Sequence, residues 1–185
     1  VFTPGVDRVY IATRANFPDA LAGGAVASPS GPGGAARAGA PILLTGPGSL
    51  PPATATELRR LRPKEIIILG GDGVVTSAVA TSLRTYTTGA VTRLGGASRY
   101  DTAVEISKAT YPDGTNTVYI ATGQNFPDAL GAAPGAGRAD APLLLVPTSG
   151  AIPGQVIAEI RRLGVEKIVI LGGPGAVDAG VEAQL

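Results

Sequence analysis

The stretch VYIATRANFPDAL, from Val9 to Leu21, returns as VYIATGQNFPDAL from Val118 to Leu130. Eleven of these thirteen positions are identical. Three further blocks, APILL, RRL and IIILGG, recur in the same order as APLLL, RRL and IVILGG. The chain is therefore an internal duplication, and each copy is expected to build the same structural unit.

The two copies differ in one loop and at their start. The spacing between matched residues falls from 109 to about 101, so the first copy has eight extra residues, which we expect in a surface loop around 28–34. The segment Val91–Ile106 precedes the second copy and has no counterpart before Val1. We therefore expect a first domain over residues 1–90 that lacks its opening segment, and a complete second domain over residues 91–185. Because the chain starts without methionine, we expect it to be cut from a longer tandem array.

The composition argues against several classes of protein. The chain is 44% apolar but only 4% aromatic, so its core is expected to be aliphatic. With no His and no Cys, it lacks the imidazole base, the thiol nucleophile, the disulfide framework and the usual ligands of structural zinc. A net charge of +1 gives no general attraction for nucleic acid, and no apolar run is long enough to span a membrane. We expect no metal, no cofactor, no nucleic-acid partner and no membrane insertion.

Short apolar runs predict the strands. They are continuous rather than alternating, which is typical of parallel strands buried on both faces. The predicted strands are 9–13, 42–45, 66–69, 118–122, 143–146 and 168–171, with a more polar candidate for a sheet edge at 91–94. Apolar residues recur between them at helical spacing, as in Val75, Val79 and Leu83, and again in Val177, Val181 and Leu185. This alternation predicts an α/β fold of two tandem small layered domains, with mostly parallel sheets flanked by helices and related by internal duplication.

Helix starts carry their own signals. Thr76 and Asp178 stand at matching positions where a helix N-cap is wanted. Ser98–Asp101 has the S-x-x-D pattern of a capping box. Pro51 and Pro153 lie near two further helix starts, where proline fits because its fixed φ suits the first turn.

The repeated NFPD motif follows a strand and opens a helix in each copy. A structural interpretation is sufficient, since Asn caps the first turn, Pro fits the helix start and Asp complements its positive end. A functional interpretation is also open, because ligands of open α/β sheets bind beyond the carboxyl ends of the strands. Asn16, Asp19, Asn125 and Asp128 are therefore candidate binding residues.

Two glycine-rich loops, Gly70–Gly73 and Gly172–Gly175, also lead from a strand to a helix. Their exposed backbone N–H groups could hold an anion. No Lys-Ser/Thr follows, which excludes a P-loop, and the pattern is one glycine short of the dinucleotide fingerprint. We therefore favour a tight strand-to-helix turn.

Arg93 and Arg99 lie on either side of a predicted strand-to-helix passage, with Tyr100 adjacent. Two guanidinium groups near a helix N-terminus make this the best local candidate site for an anion or a sugar acid. The alternative is that both arginines pair at the surface with Asp101 or Glu105. Arg93, Arg99 and Tyr100 join the candidate binding residues.

The other charged residues give little evidence of catalysis. The arginine pairs at 59–60 and 161–162 fall in the last turns of predicted helices, where cations are favoured, and so suit a structural role. No two carboxylates stand out as an acid and a base. Those available are Asp19, Asp72, Asp101 and Asp128.

Four blocks in order, TxxNFPDAL, APxLL, IxILGGxGxV and RLGGxxRYDTA, resemble the cell wall-binding repeat 2 family of Gram-positive surface proteins. The resemblance covers nearly the whole chain, with residues 93–185 matching one complete repeat and residues 1–90 matching another that lacks its opening block. It implies compact, non-catalytic α/β modules, usually three beside a variable functional region, that can associate as a pseudo-threefold trimer. Such modules hold the protein non-covalently to the wall, in some cases through an anionic secondary wall polymer.

The leading hypothesis is an extracellular anchoring module at the cell wall, whose partner is a wall glycan or an anionic wall polymer. A duplicated binding face would gain avidity from a repeating ligand. One alternative is a small nucleotide- or sugar-processing α/β hydrolase that uses Asp19 and Asp128. Another is a structural surface module that packs on further repeats or on itself. A separate prediction follows from the missing opening helix: the first copy is expected to expose an apolar face, unless another chain or segment covers it.

Overall fold

The computed structural model describes residues 2–15, 18–27, 39–125, 135–137 and 139–185, so Asn16, Asp128 and the loop expected at 28–34 lie outside the described residues. The strands are β1 (Arg8–Thr13), β2 (Ile42–Thr45), β3 (Glu65–Leu69), β4 (Val91–Leu94), β5 (Thr117–Thr122), β6 (Leu143–Val146) and β7 (Lys167–Ile170). The helices are α1 (Pro18–Val26), α2 (Pro52–Leu61), α3 (Ser77–Leu83), α4 (Arg99–Thr110), α5 (Gly154–Leu163) and α6 (Ala179–Glu182), and a 3₁₀ turn, Arg84–Tyr86, follows α3. Every predicted strand is present to within one residue at each end.

The strands form two parallel sheets, in the orders β2-β1-β3-β4 and β6-β5-β7. The predicted α/β architecture is thereby confirmed. The more polar strand β4 lies at an edge, as its composition suggested, because an edge strand has one neighbour and is less buried. β1 pairs with β2 in the same register as β5 pairs with β6. Tyr10 lies opposite Ile42, and the matching Tyr119 lies opposite Leu143.

Strand β4 joins the two repeats. It belongs by sequence to the second copy, but it pairs with β3 of the first, with Val91 opposite Ile66 and Leu94 opposite Leu69. The chain then continues into α4, which packs against α1 of the first repeat and against β6 and α5 of the second. The opening segment of the second repeat therefore lies across the junction of the two copies.

The core is aliphatic and is divided by the first sheet. On one face, side chains such as Val9 and Ile11 pack against α2 and α3 in a cluster whose fully buried members all belong to the first repeat. On the other face, Tyr10 and Ala12 belong to a larger cluster that includes α4 and the second sheet. The two repeats thus share one hydrophobic core, with α4 as the element between them. None of the described helices is long and apolar enough to cross a membrane.

All three predicted N-cap residues stand at the start of a described helix, and two of them make a side-chain cap hydrogen bond. Ser98 and Asp101 form the predicted capping box of α4, and the carboxylate of Asp178 accepts from the backbone N–H of Val181 at the start of α6. Thr76 occupies the N-cap position of α3, but its hydroxyl makes no cap hydrogen bond and is buried without a partner among the described residues. The predicted position of Thr76 at the N-cap is confirmed, but its side chain does not supply the cap hydrogen bond.

The first repeat exposes apolar side chains that the second repeat buries. Leu44 of β2 is 49% exposed, whereas the matching Leu145 of β6 is completely buried. Phe2 is 39% exposed, whereas the matching Tyr111 is 2% exposed. In the second repeat α4 packs against β6, and no helix among the described residues takes that place beside β2. The expected apolar exposure of the first copy is confirmed.

Candidate binding cleft

The carboxyl ends of β1, β3 and β4 meet at one edge of the first sheet, where the loops after them enclose a cleft of about 350 Å³. The start of α1 contributes Asp19, and the glycine-rich loop after β3 contributes Gly71 and Gly73. The start of α4 contributes the polar and aromatic side chains of Ser98, Arg99, Tyr100 and Thr102. The walls of the cleft therefore come from both repeats.

Asp19 is the buried acid of the cleft. It stands in the first turn of α1, as the NFPD motif predicted, and is only 7% exposed. Burial raises the pKa of its carboxyl group, because the charged form is removed from water. A hydrogen bond from Thr102 and the positive charge of Arg99 act in the opposite direction, since both favour the carboxylate.

The first glycine-rich loop is shaped around Asp19. Gly70 has φ of +106°, a conformation that side chains rarely adopt. A Cβ atom at Gly70 would lie 2.5 Å from Oδ2 of Asp19 and 2.5 Å from Cγ2 of Val74. This loop is a tight turn that lets the backbone approach a buried carboxylate closely.

Arg93 braces that loop from the neighbouring strand. Its Nη1 donates to the carbonyl oxygen of Gly70 at 2.7 Å, and its Nη2 forms an ion pair with Oδ1 of Asp72 at 2.9 Å. The partner is thus neither of the carboxylates that the sequence suggested, and the side chain of Arg93 does not line the cleft. Its contacts give it a positioning role for the turn that follows β3.

Arg99 and Tyr100 lie against the second repeat. Nη1 of Arg99 donates to the carbonyl oxygen of Gly123, the residue after β5. A Cβ atom at Gly123 would lie 2.9 Å from Cδ of Arg99 and 3.0 Å from Cε1 of Tyr100. The first repeat has Arg14 at the position that matches Gly123. Because α4 leaves little room for a side chain at Gly123, its packing explains this one of the two differences between the repeated blocks.

Asp101 is occupied by structural hydrogen bonds. Its Oδ2 accepts from the backbone N–H and the hydroxyl of Ser98 at 2.9 and 2.7 Å, and its Oδ1 accepts from Nε2 of Gln155 in α5 at 2.7 Å. These contacts cap α4 and tie it to the second repeat. Among the described residues, no group of three or more acidic side chains is placed to hold a metal ion.

The structure gathers only part of the predicted set. Asp19, Arg99 and Tyr100 line one cleft, and Arg93 supports its wall. Asn125 is exposed just beyond the end of β5, at the corresponding edge of the second sheet. Asn16 and Asp128 lie outside the described residues. Thr102 was missed, because a threonine inside a helical pattern gives no signal that it faces a ligand cleft.

Two duplicated parallel α/β units that pack on one helix and line one polar cleft define a tandem-repeat α/β module. The chain belongs to the cell wall binding domain 2 (CWB2) family, whose model matches residues 4–80 and 93–182. This match confirms the resemblance carried by the four sequence blocks. CWB2 domains bind the cell wall and anchor surface proteins, and the family is in general non-catalytic.

Two solved structures support this assignment. Cwp6 from Clostridium difficile is 28% identical, with a TM-score of 0.84 over 97% of this chain and 27% of its own length. Cwp8 from Clostridium difficile is 26% identical, with a TM-score of 0.80 over 100% of this chain and 30% of its own length. The chain thus spans less than a third of either protein. Comparison with curated protein sequences gives no relative. The family and these neighbours indicate a location at the cell wall or cell surface.

Proposed function

We propose that this chain anchors a surface protein by binding an anionic wall polymer, non-covalently, in the cleft at the carboxyl edge of the first sheet. One observation carries the proposal: Asp19 of the first repeat lines the same cleft as Arg99 and Tyr100, which belong to the second repeat and are distant from Asp19 in sequence. Open α/β sheets bind their ligands at this edge.

The cleft has suitable groups for a charged sugar. The guanidinium of Arg99 can pair with a phosphate or carboxylate group, and the carboxylate of Asp19 can accept hydrogen bonds from sugar hydroxyls. Because the two charges are opposite and close, one site is expected to bind one polymer unit weakly. A repeating polymer offsets this weakness, since neighbouring units raise the effective concentration at further sites.

The test is sedimentation of the full 185-residue chain with purified Gram-positive cell walls. We expect retention by intact walls, and loss of retention after chemical removal of the anionic polymers. Arg99→Ala should weaken retention several-fold, whereas Lys108→Ala, an exposed cation on the same helix, should leave it unchanged. Equal retention before and after polymer removal would contradict the proposed ligand.

A second role has its own observation. The half-exposed Leu44 gives the first repeat an apolar surface that suits packing against a further repeat or a second copy. Light scattering after size-exclusion chromatography measures this association directly. A mass that rises with protein concentration would support packing against a second copy, and a constant monomer mass would contradict it.

We further propose that the chain acts without catalysis. Asp19, one of the two acids of the hydrolase alternative, is buried beside Thr102 and Arg99, in contacts that suit a fixed acceptor. A calorimetric screen with nucleotides and divalent metals tests this. Heat of turnover with any of them would contradict a purely binding role.

A further inference from the structure

A second groove lies at the opposite edge of the first sheet. It has a volume of about 380 Å³ and is formed where α2 ends and where the chain passes from the 3₁₀ turn towards β4. Leu58 and Pro63 give it apolar walls, and Arg59, Arg62 and Tyr86 line it as well. We call it the arginine groove. Because β3 has five residues and strands rise about 3.3 Å per residue, the groove and the cleft are roughly 15 Å apart.

Arg59 is held in the groove by an aromatic ring. Its guanidinium carbon lies 5.4 Å from the ring centroid of Tyr86, and its Nη2 lies 3.5 Å from the phenol oxygen. The neighbouring Arg60 forms an ion pair with Glu57 at 2.6 Å, as expected for a structural cation at a helix end. Arg59 has no such pair with any carboxylate in the part of the chain that the structure describes.

Arg62 occupies a backbone conformation that favours glycine. It ends α2 with φ of 48° and ψ of 60°, in the left-handed region. The matching residue of the second repeat is Gly164, which has φ of 68°. An arginine there costs free energy that glycine avoids, and such strained positions concentrate where a side chain serves a site. Arg62 also forms no ion pair with a described residue.

The second repeat provides an internal comparison. Arg161 matches Arg59, but Gly164 stands in place of Arg62. The matching helix end of the second repeat therefore lacks the second of the two arginines that line the arginine groove.

We propose that the arginine groove is a binding site for an anionic sugar, one that carries a phosphate or a carboxylate group. Two guanidinium groups that have no carboxylate partner in the described part of the chain supply the charge recognition. The apolar walls and the Tyr86 phenol suit the body and the hydroxyls of a sugar, and the volume fits a small ligand. The site is separate from the cleft and does not depend on it, although one polymer could engage both.

The test is an NMR titration of the ¹⁵N-labelled full chain with glucose 1-phosphate, with glucuronate and with uncharged glucose. Amide shifts are expected at residues 58–63 and 85–88 with one or both anionic sugars, and none there with glucose. Shifts with glucose 1-phosphate would identify phosphate as the recognised group, and shifts with glucuronate would identify carboxylate. Arg62→Gly removes the guanidinium and relieves the left-handed strain, so the variant should fold at least as well as the parent chain. It should nevertheless bind about tenfold more weakly.

Arg161→Ala is the matched control and should leave the affinity unchanged. Absence of shifts at the arginine groove with both anionic sugars would overturn the proposal, as would equal shifts with glucose. Shifts confined to residues 96–102 would overturn the arginine groove while leaving the proposed polymer cleft in place. Unchanged affinity in Arg62→Gly would also overturn it.

Discussion

Leu44 and Leu145 occupy the same position in the two repeats, opposite Ala12 and Ala121, yet only Leu145 is buried. The difference comes from α4, which packs against β6 but has no counterpart beside β2 among the described residues. The same residue in the same unit therefore contributes differently to stability.

We expect Leu145→Ala to lower the free energy of unfolding by about 2–5 kcal/mol, because it leaves a cavity in the shared core. Leu44→Ala should cost less than about 1 kcal/mol, since half of the side chain is already in water. Urea denaturation followed by circular dichroism measures both. Similar losses in the two variants would show that β2 is covered in solution.

The capping box of α4 provides a second prediction. Ser98→Ala should destabilise the chain by about 1 kcal/mol, because the backbone N–H of Asp101 loses its side-chain acceptor. Thr76→Ala is the control, since the Thr76 hydroxyl makes no cap hydrogen bond. Thermal unfolding compares the two. A larger loss from Thr76→Ala would contradict the assignment of the caps.

Gly70 and Gly73 stand in one loop but in different surroundings. A methyl group at Gly70 meets Asp19 and Val74 and requires a positive φ, whereas a methyl group at Gly73 meets nothing within 4 Å. Gly70→Ala should therefore destabilise by more than about 1 kcal/mol, and Gly73→Ala should be close to neutral. If Gly70→Ala unfolds at the same urea concentration as the parent, the close approach to Asp19 is not present in solution.

The pKa of Asp19 gives a pH-dependent prediction. Because burial raises this pKa above 3.8, the folded state holds the proton more tightly than the unfolded chain. The ionised carboxylate therefore costs stability at neutral pH, and the cost disappears as the pH falls through the raised pKa towards 3.8. Asp19→Asn should be more stable than the parent at pH 7, and the difference should narrow on acidification. Melting temperatures of both proteins, measured from pH 7 down into acid, test this prediction. A stability difference between Asp19→Asn and the parent that widens in acid would contradict it.

The sequence predicts the strands because each one is a continuous apolar run, and it predicts the edge position of β4 because Val91–Leu94 is more polar. It does not predict which strand β4 pairs with. Parallel pairing depends on the path of the chain between strands, and the repeat boundary suggested a place in the second unit. The hydrogen bonding of Thr76 is likewise decided by packing, since Thr and Asp share the same cap preference.

The candidate site was predictable in its residue types and less so in its arrangement. Asp19, Arg99 and Tyr100 were selected from motifs, and they meet because α4 packs on α1. Arg93 was selected for the same reason as Arg99. Its position on β4, opposite Ile68 of β3, instead directs its side chain to Gly70 and Asp72. Such distinctions need the sheet register, which the local pattern does not contain.

The pairing of β4 with β3 has a mechanical consequence. A tether carries load, and here the strand that begins the second repeat is hydrogen-bonded along its length, from Val91 to Leu94, to the sheet of the first. A force applied along the strands must break the hydrogen bonds between β3 and β4 at the same time. A simple linker between separate domains would only straighten under the same force. We therefore expect the boundary between the repeats to resist a pulling force better than a simple linker would.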